Sequence, residues 1–381
     1  MSYATPYEGI KIVDLSQGIA GPYCAMLLAQ YGADVVKIEP PEGDWTRHLG
    51  RPHGDHTAFS VAGNLGKRSV VLDLKSEEGK QHLWHLIDTA DVLLEGYRPG
   101  VMARLGFDYE SVKARNERIV YVSVSGFGQR GPLSEKPAMD PVLQAFTGFM
   151  TANSDAQGVP QRCRPIVVDM STALYTFQAL SAALFARQHE TTGRRIEVSL
   201  MEAATNLQCV RMMQSQLEEN LPDSVTAPAG IFRCRDGGHV FIVVLRQDDF
   251  VSACGLLDLE DLANDKRLQT PQQRYEHRDE VNANVAEAFL QRDTPHWLAA
   301  FTEAGIQNEA VLDYSAFLEH PHVRDTECIA WLHQPGFADP VPMPNVPGMD
   351  RFETGTLRAH APTLGEHTEE VLSTQRTTDA P

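Results

Sequence analysis

The chain has 381 residues, 42% of them hydrophobic and 22% charged, with a formal net charge of −18. Such a length favours two domains, and such a composition a packed globular core over disorder. No window is apolar for long enough to cross a bilayer, no basic segment leads into an apolar run at the N-terminus, and the six scattered cysteines lack CxxC spacing, so a cytoplasmic protein with free thiols is expected.

From residue 10 to 128, short β-branched runs alternate with stretches of helical periodicity. The runs are 10–15, 33–38, 69–74, 91–95 and 119–124, and the stretches between them include 23–31 and 77–90. Alternation of this kind predicts a mainly parallel sheet covered by helices. Two strongly apolar helices are expected at 171–189 and 202–218, with a strand at 195–200 between them. The character changes near Leu221-Pro222-Asp223-Ser224. The run 231–235, the turn Asp236-Gly237-Gly238 and the run 239–245 read as a hairpin. Amphipathic helices follow at 278–290 and 295–304. Five prolines between Pro335 and Pro347 predict an extended connector, then a helix near 366–372 and a polar tail. Residues 225–320 therefore read as a smaller α+β domain.

Charge is unevenly distributed: net −2 over residues 1–136 against −16 over residues 201–381. The acidic C-terminal part is a poor partner for nucleic acid or anionic lipid, so neither is expected as a partner. In the near-neutral first third, Lys37, Arg47, Lys67, Arg68, Lys75, Arg98 and Arg104 fall just past strand ends. In an open α/β sheet those ends form one ligand-binding rim. Cations gathered there suit a polyphosphate, although any one of them alone reads as a solvated surface residue.

Two glycine patterns imitate dinucleotide sites. Ser16-Gln17-Gly18-Ile19-Ala20-Gly21-Pro22 forms the first strand–helix turn, with Pro22 suited to open a helix and Glu39 ending the next strand. Its glycine spacing is nevertheless wrong for the fingerprint. Gly126-Phe127-Gly128-Gln129-Arg130-Gly131 has the right spacing, but Pro132 and Pro137 prevent the helix that must follow at once. What remains is a Gly-rich loop at the carboxyl end of a strand. Asp169 follows Ile166-Val167-Val168 and precedes a helix, which makes it an N-cap candidate. The same helix terminus favours an ionised carboxylate, and an ionised carboxylate is a competent nucleophile. The histidines show no metal-ligand spacing, so no metal is expected, and there is neither a P-loop nor a G-x-S-x-G elbow.

Eight segments in order resemble the class III CoA-transferases of the CaiB/BaiF type: DLSQGIAGPYCAMLLAQYGADVVKIEPPEGD, GKRSVVLDLKSEEG, DVLLEGYRPGVMARLGFDYE, YVSVSGFGQRGP, MDPVLQAFTGFM, VVDMSTALYTFQALSAALFAR, TGRRIEVSLMEAA and APTLGEHTEEVL. They run from about residue 10 to 372. The resemblance implies a Rossmann-like large domain joining both ends of the chain, residues 1–220 with 325–381, a smaller inserted α+β domain at residues 225–320, an interlocked homodimer, and a catalytic Asp at Asp169 assisted by Asp140. It places CoA contacts at Lys75, Arg98 and Arg104, with Lys37 and Tyr97 beside them; the Gly-rich loop read from the strand end supplies Gly126, Gly128 and Gly131 as the expected substrate loop. Acyl-CoA and a small carboxylic acid are then the substrates, and no permanently bound cofactor is expected. One departure is Gly96, where the family's pattern has a polar side chain. Another is Met139, where related racemases of the same scaffold have a proton-shuttling His, which favours CoA transfer over racemisation or epimerisation. A non-catalytic CoA-binding protein is the third reading. Arg233, Arg235 and Arg246 hint at a carboxylate-bearing acyl group, or at a solvated hairpin face.

Overall fold

In the computed structural model, residues 5–155, 157–218 and 224–376 are described. The change of character at 221–224 and the end of the polar tail therefore lie largely outside the described residues. The chain divides into two compact units: Met1–Met213 with Asp325–Pro381, and Gln214–Arg324.

The larger unit opens as β1 (Lys11–Asp14), α1 (Ala20–Gln30) and β2 (Asp34–Glu39), then a short 3-10 turn at Trp45–His48. It continues through α2 (Ala58–Asn64), β3 (Arg68–Val71), α3 (Glu77–Thr89), β4 (Val92–Glu95), α4 (Val101–Leu105), α5 (Tyr109–Arg115) and β5 (Val120–Ser125). Next come α6 (Asp140–Phe146), α7 (Phe149–Ala152), α8 (Val167–Ala186), β6 (Arg194–Ser199), α9 (Leu200–Leu207) and α10 (Cys209–Leu217). The expected single helix over 202–218 is broken at Gln208, whose side chain turns to Thr147 and back to the Ala204 carbonyl.

Six parallel strands form one sheet in the order β3-β2-β1-β4-β5-β6. The strands are apolar on both faces, as a parallel sheet covered by helices requires. On one face Ile12, Val35, Leu94 and Val122 pack with α1 and α8 residues such as Leu28 and Leu180. On the other, Val13, Val36, Leu93 and Tyr121 meet Leu83, Ile87 and Val112. The chain winds outward from β1 to β3 and then returns to β4. The carboxyl ends of β1 and β4 therefore border the crevice where open α/β sheets bind ligands.

Part of the proline-rich connector is a strand. Val341–Pro344 pairs antiparallel with Ile329–Leu332. A two-stranded ribbon accepts proline because each strand is an edge with one unpaired side. In the second unit, β7 (Ala229–Arg233) and β8 (His239–Val243) form the expected hairpin, and β9 (Gln307–Ala310) adds a third antiparallel strand. Its sequence, Gln-Asn-Glu-Ala, lacks the β-branched residues that mark a strand. Phe232, Phe250, Phe289, Trp297 and Phe301 form the core of this unit. No helix among the described residues is long and apolar enough to cross a membrane.

Candidate active site

A cavity of about 420 Å³ opens at the β1/β4 crevice, lined by the turn after β1 (Gln17, Gly18), the turn after β4 (Gly96–Arg98), Trp45 and Asp169. A second cavity of about 440 Å³ shares Trp45, Arg98, Ser125 and Met139 with it and extends to Lys136 and Val142. The turns after β1 and β4 approach closely. A Cβ on Gly96 would lie 3.3 Å from the Ser16 Cβ, so the missing side chain at this position has a packing reason.

Asp169 reaches the cavity by a chain of local contacts. At the end of β5, Gly126 lies against Ala138 so tightly that an added Cβ would sit 2.2 Å from the Ala138 methyl. That contact docks Met139 and the first residue of α6, Asp140, at the strand end. Asp140 is 1% exposed. Its Oδ2 accepts the N–H groups of Val168 (2.7 Å) and Asp169 (3.2 Å), while Oδ1 accepts from the Gln144 side chain at 2.6 Å. Asp140 therefore caps the helix that carries Asp169.

This corrects the expectation that Asp169 is itself the N-cap. Helix α8 begins at Val167 without a side-chain cap from its own neighbour, and Asp169 is its third residue. Because Asp140 satisfies the terminal N–H groups from outside, Asp169 is free of the capping task. No hydrogen bond engages its carboxylate among the described residues. Burial, and then the Asp140 charge, push its carboxyl up to about 7. The helix-terminus argument for a permanently ionised carboxylate thus yields to desolvation. Pro22 is displaced in the same way: α1 begins at Ala20, so Pro22 is its third residue.

The basic rim is smaller than the strand-end pattern predicts. Lys37, Arg47 and Lys67 are buried and paired with Asp44 (2.9 Å), Glu39 (2.7 Å) and Asp14 (2.7 Å) respectively. Lys37 is thus removed from the solvent-facing rim. Glu39 also accepts from Ser69, so it is not free to serve as the acid of a dinucleotide site. Against the burial that would raise it, Arg47 holds Glu39 down to about 2. Arg68 pairs with Asp34 at 2.7 Å. Among the described residues no ion pair engages Lys75, Arg98 or Arg104, and all three are exposed. Arg98 lines both cavities, whereas Lys75, in the loop after β3, and Arg104, on α4, line neither.

Tyr97 also lines both cavities, and the Glu95 carboxylate accepts its N–H at 2.8 Å. Burial raises Glu95 to about 7. Of the three loop glycines, Gly126 is at the cavity, while Gly128 and Gly131 adopt φ of +92° and +94° in open space. No group of three or more His, Cys, Asp or Glu side chains suited to a metal occurs among the described residues. Two of the three arginines once linked to a carboxylate are spent in ion pairs, Arg235 with Asp293 and Arg246 with Asp249, both at 2.8 Å.

Sequence reasoning passed over Trp45 and Ser125. Trp45 follows Asp44, whose side chain caps the 3-10 turn and points the residue to the crevice. Ser125 is 6% exposed, lines both cavities, and its hydroxyl has no hydrogen-bond partner among the described residues. Neither residue had a spacing signal. Each acquires its place through contacts distant in the chain.

The family model for CoA-transferase family III matches residues 7–368. An acetyl-CoA:oxalate CoA-transferase of Acetobacter aceti is 33% identical over 317 residues, covering 81% of this chain and 81% of that protein. A succinate–glutarate CoA-transferase of Agrobacterium fabrum is 29% identical, covering 97% of this chain and 95% of that protein. Among solved structures, a CaiB/BaiF family protein from Brucella suis matches with a TM-score of 0.85 and 28% identity, over 98% of this chain and 100% of that one.

Proposed function

The chain belongs to CoA-transferase family III and is an enzyme of the CoA-transferase type, and from that premise we propose that it moves CoA between carboxylic acids through a covalent intermediate on Asp169. The observation that carries this reading is a half-buried carboxylate, free of hydrogen bonds among the described residues, at the switch-point cavity of the sheet.

The Asp169 carboxylate oxygen attacks the thioester carbonyl carbon of the donor. The C–S bond breaks, CoA leaves as thiolate, and a mixed anhydride of Asp169 and the donor acid remains. The thiolate attacks Cγ of Asp169, the anhydride C–O bond breaks, and the donor acid departs as carboxylate. Asp169 is now a thioester of CoA. The acceptor carboxylate attacks Cγ and releases thiolate, which then attacks the acceptor carbonyl and frees the Asp169 carboxylate. One thioester replaces another with no net change of protons or electrons.

Asp140 assists by fixing the start of α8. Because Asp140 occupies the Val168 and Asp169 amides, and the Val167 and Met170 amides are bonded to carbonyls, that terminus has no donor to spare for the oxyanion. The Gly126–Gly131 loop, with Gly126 at the cavity, is the better source. One such donor is worth about 2.7–4 kcal/mol. Arg98 and Tyr97 hold the CoA diphosphate side of the ligand, with Lys75 and Arg104 reaching it from the exposed surface. The larger unit is the catalytic domain in this reading. The exposed Leu174, Phe185, Leu207, Val210 and Met213 of α8–α10 support an interlocked homodimer that covers them. Relatives named for oxalate and glutarate direct attention to short dicarboxylates as donor or acceptor acids.

The test is transfer from acetyl-CoA or succinyl-CoA to oxalate, glutarate and related acids, followed by chromatography of the new thioester. Wild type forms product without ATP, and Asp169→Asn forms none. Undiminished transfer by Asp169→Asn excludes the covalent mechanism.

A further inference from the structure

The turn after β1 is gripped from below by one buried ion pair. Lys37 and Asp44 are both 0% exposed, with Nζ and Oδ2 2.9 Å apart. Lys37 also donates to the Ser16 carbonyl. Asp44 Oδ1 accepts the Gly18 N–H at 3.3 Å and the Thr46 N–H and hydroxyl, both at 2.9 Å. The backbone amide of Asp44 donates in turn to Glu39 at 3.0 Å. The pair therefore holds the peptide on each side of Gln17, the carbonyl before it and the amide after it. It also anchors the 3-10 turn that begins with Trp45. Gln17, Gly18 and Trp45 all line the cavity that Asp169 enters.

We propose that Lys37 and Asp44 are positioning residues of the transfer reaction: their ion pair fixes the Ser16–Gly18 turn and Trp45 opposite Asp169, and Lys37 does not touch CoA. This rests on the transferase reading above. Stability alone is a poor reason for burying such a pair, since apolar residues of similar volume are often neutral or better. The best-attested use of a buried polar pair is to impose one arrangement on its surroundings. An active site has reason to require this, because a 1 Å misplacement of reacting groups can cost about 10²-fold in rate. The electrostatics agree with a charged Lys37. Burial alone would lower the Lys37 ammonium, but Asp44, Asp14 and Glu39 outweigh it and hold the group protonated.

Three variants separate positioning from CoA binding and from simple folding. Asp44→Ala removes the acceptor for Gly18 and the partner of Lys37. Asp44→Asn keeps an oxygen for Gly18 and Thr46. Lys37→Met/Asp44→Asn removes the pair without leaving a lone buried charge, and so stays folded even where Lys37→Met or Asp44→Ala alone strands the remaining partner. The expected result for Asp44→Ala and the double variant is a fall in kcat of about tenfold or more, with KM for acyl-CoA within about threefold of wild type. Asp44→Asn, which keeps the acceptor for Gly18 and Thr46 but deprives the Lys37 ammonium of its ionic partner, recovers only part of the loss. In the same proteins without ligand, hydrogen exchange across residues 15–19 quickens in Asp44→Ala and the double variant and is intermediate in Asp44→Asn. A rise in KM at constant kcat assigns Lys37 to CoA and overturns the proposal, as does unchanged kcat in folded variants. If wild type transfers nothing from any donor, the transferase reading fails separately. The exchange measurement then decides the positioning claim, and unchanged protection at 15–19 in Asp44→Ala refutes it.

Discussion

Asp169 has to be ionised to attack a thioester, yet its surroundings favour the acid, with burial first and the Asp140 charge second pushing it up to about 7. The rate of aspartyl modification by acyl-CoA should therefore rise with pH through about 7 and level off above it. Replacing Asp140 by Asn removes the second cause and should move that midpoint lower, as read from the pH–rate profile. The same shift makes a statement about folding. A carboxyl whose folded pKa lies above its ordinary 3.8 contributes stability below that value and loses it as pH rises through about 7. Asp169→Asn should thus raise the melting temperature at pH 8 more than at pH 4. An equal gain at both would mean that the carboxyl titrates in its ordinary range. Little of this was legible in the sequence. The position of Asp169 before a helix was visible, but the burial that sets its chemistry is a property of the assembled crevice.

At the scale of elements, one helix depends on a side chain from another. Helix α8 starts at Val167, and the amides of its second and third residues, Val168 and Asp169, are held by Asp140, 28 residues before Val168. Asp140→Ala should destabilise the protein by about 1 kcal/mol, and Asp140→Asn, which keeps an acceptor oxygen, should restore most of that in urea denaturation. Equal stability of the two variants would remove the cap from the account. The parallel strands were readable because Val-, Ile- and Leu-rich runs buried on both faces leave an unmistakable composition. The start of α8 was misread because a cap supplied from a distant helix leaves no local signal. Strand Gln307–Ala310 and the ribbon strand Val341–Pro344 were missed for a related reason, since pairing partners and not residue preference determine them.

At the scale of the whole molecule, the strand order places the turns after β1 and β4 side by side, and a buried charged layer under β1 and β2 fixes one of them. The strand-end cations divide into two groups. Lys37, Arg47 and Lys67 turn inward to carboxylates, whereas Arg98 remains at the cavity. Sequence position alone did not separate them, because the deciding partners Asp14, Glu39 and Asp44 become neighbours only when β1, β2 and the Trp45 turn meet. The apolar residues exposed on α8–α10 should make the protein a dimer in solution. Light scattering across a hundredfold dilution tests this, and a monomer mass throughout would contradict it. The central claim concerns one bond. Intact-mass spectrometry after mixing with acyl-CoA donors and trapping with hydroxylamine or borohydride should show modification confined to the peptide holding Asp169, and none in Asp169→Asn. Absence of any adduct, together with deuterium uptake at the acyl α-carbon, would contradict covalent transfer and support the racemase chemistry that Met139 speaks against.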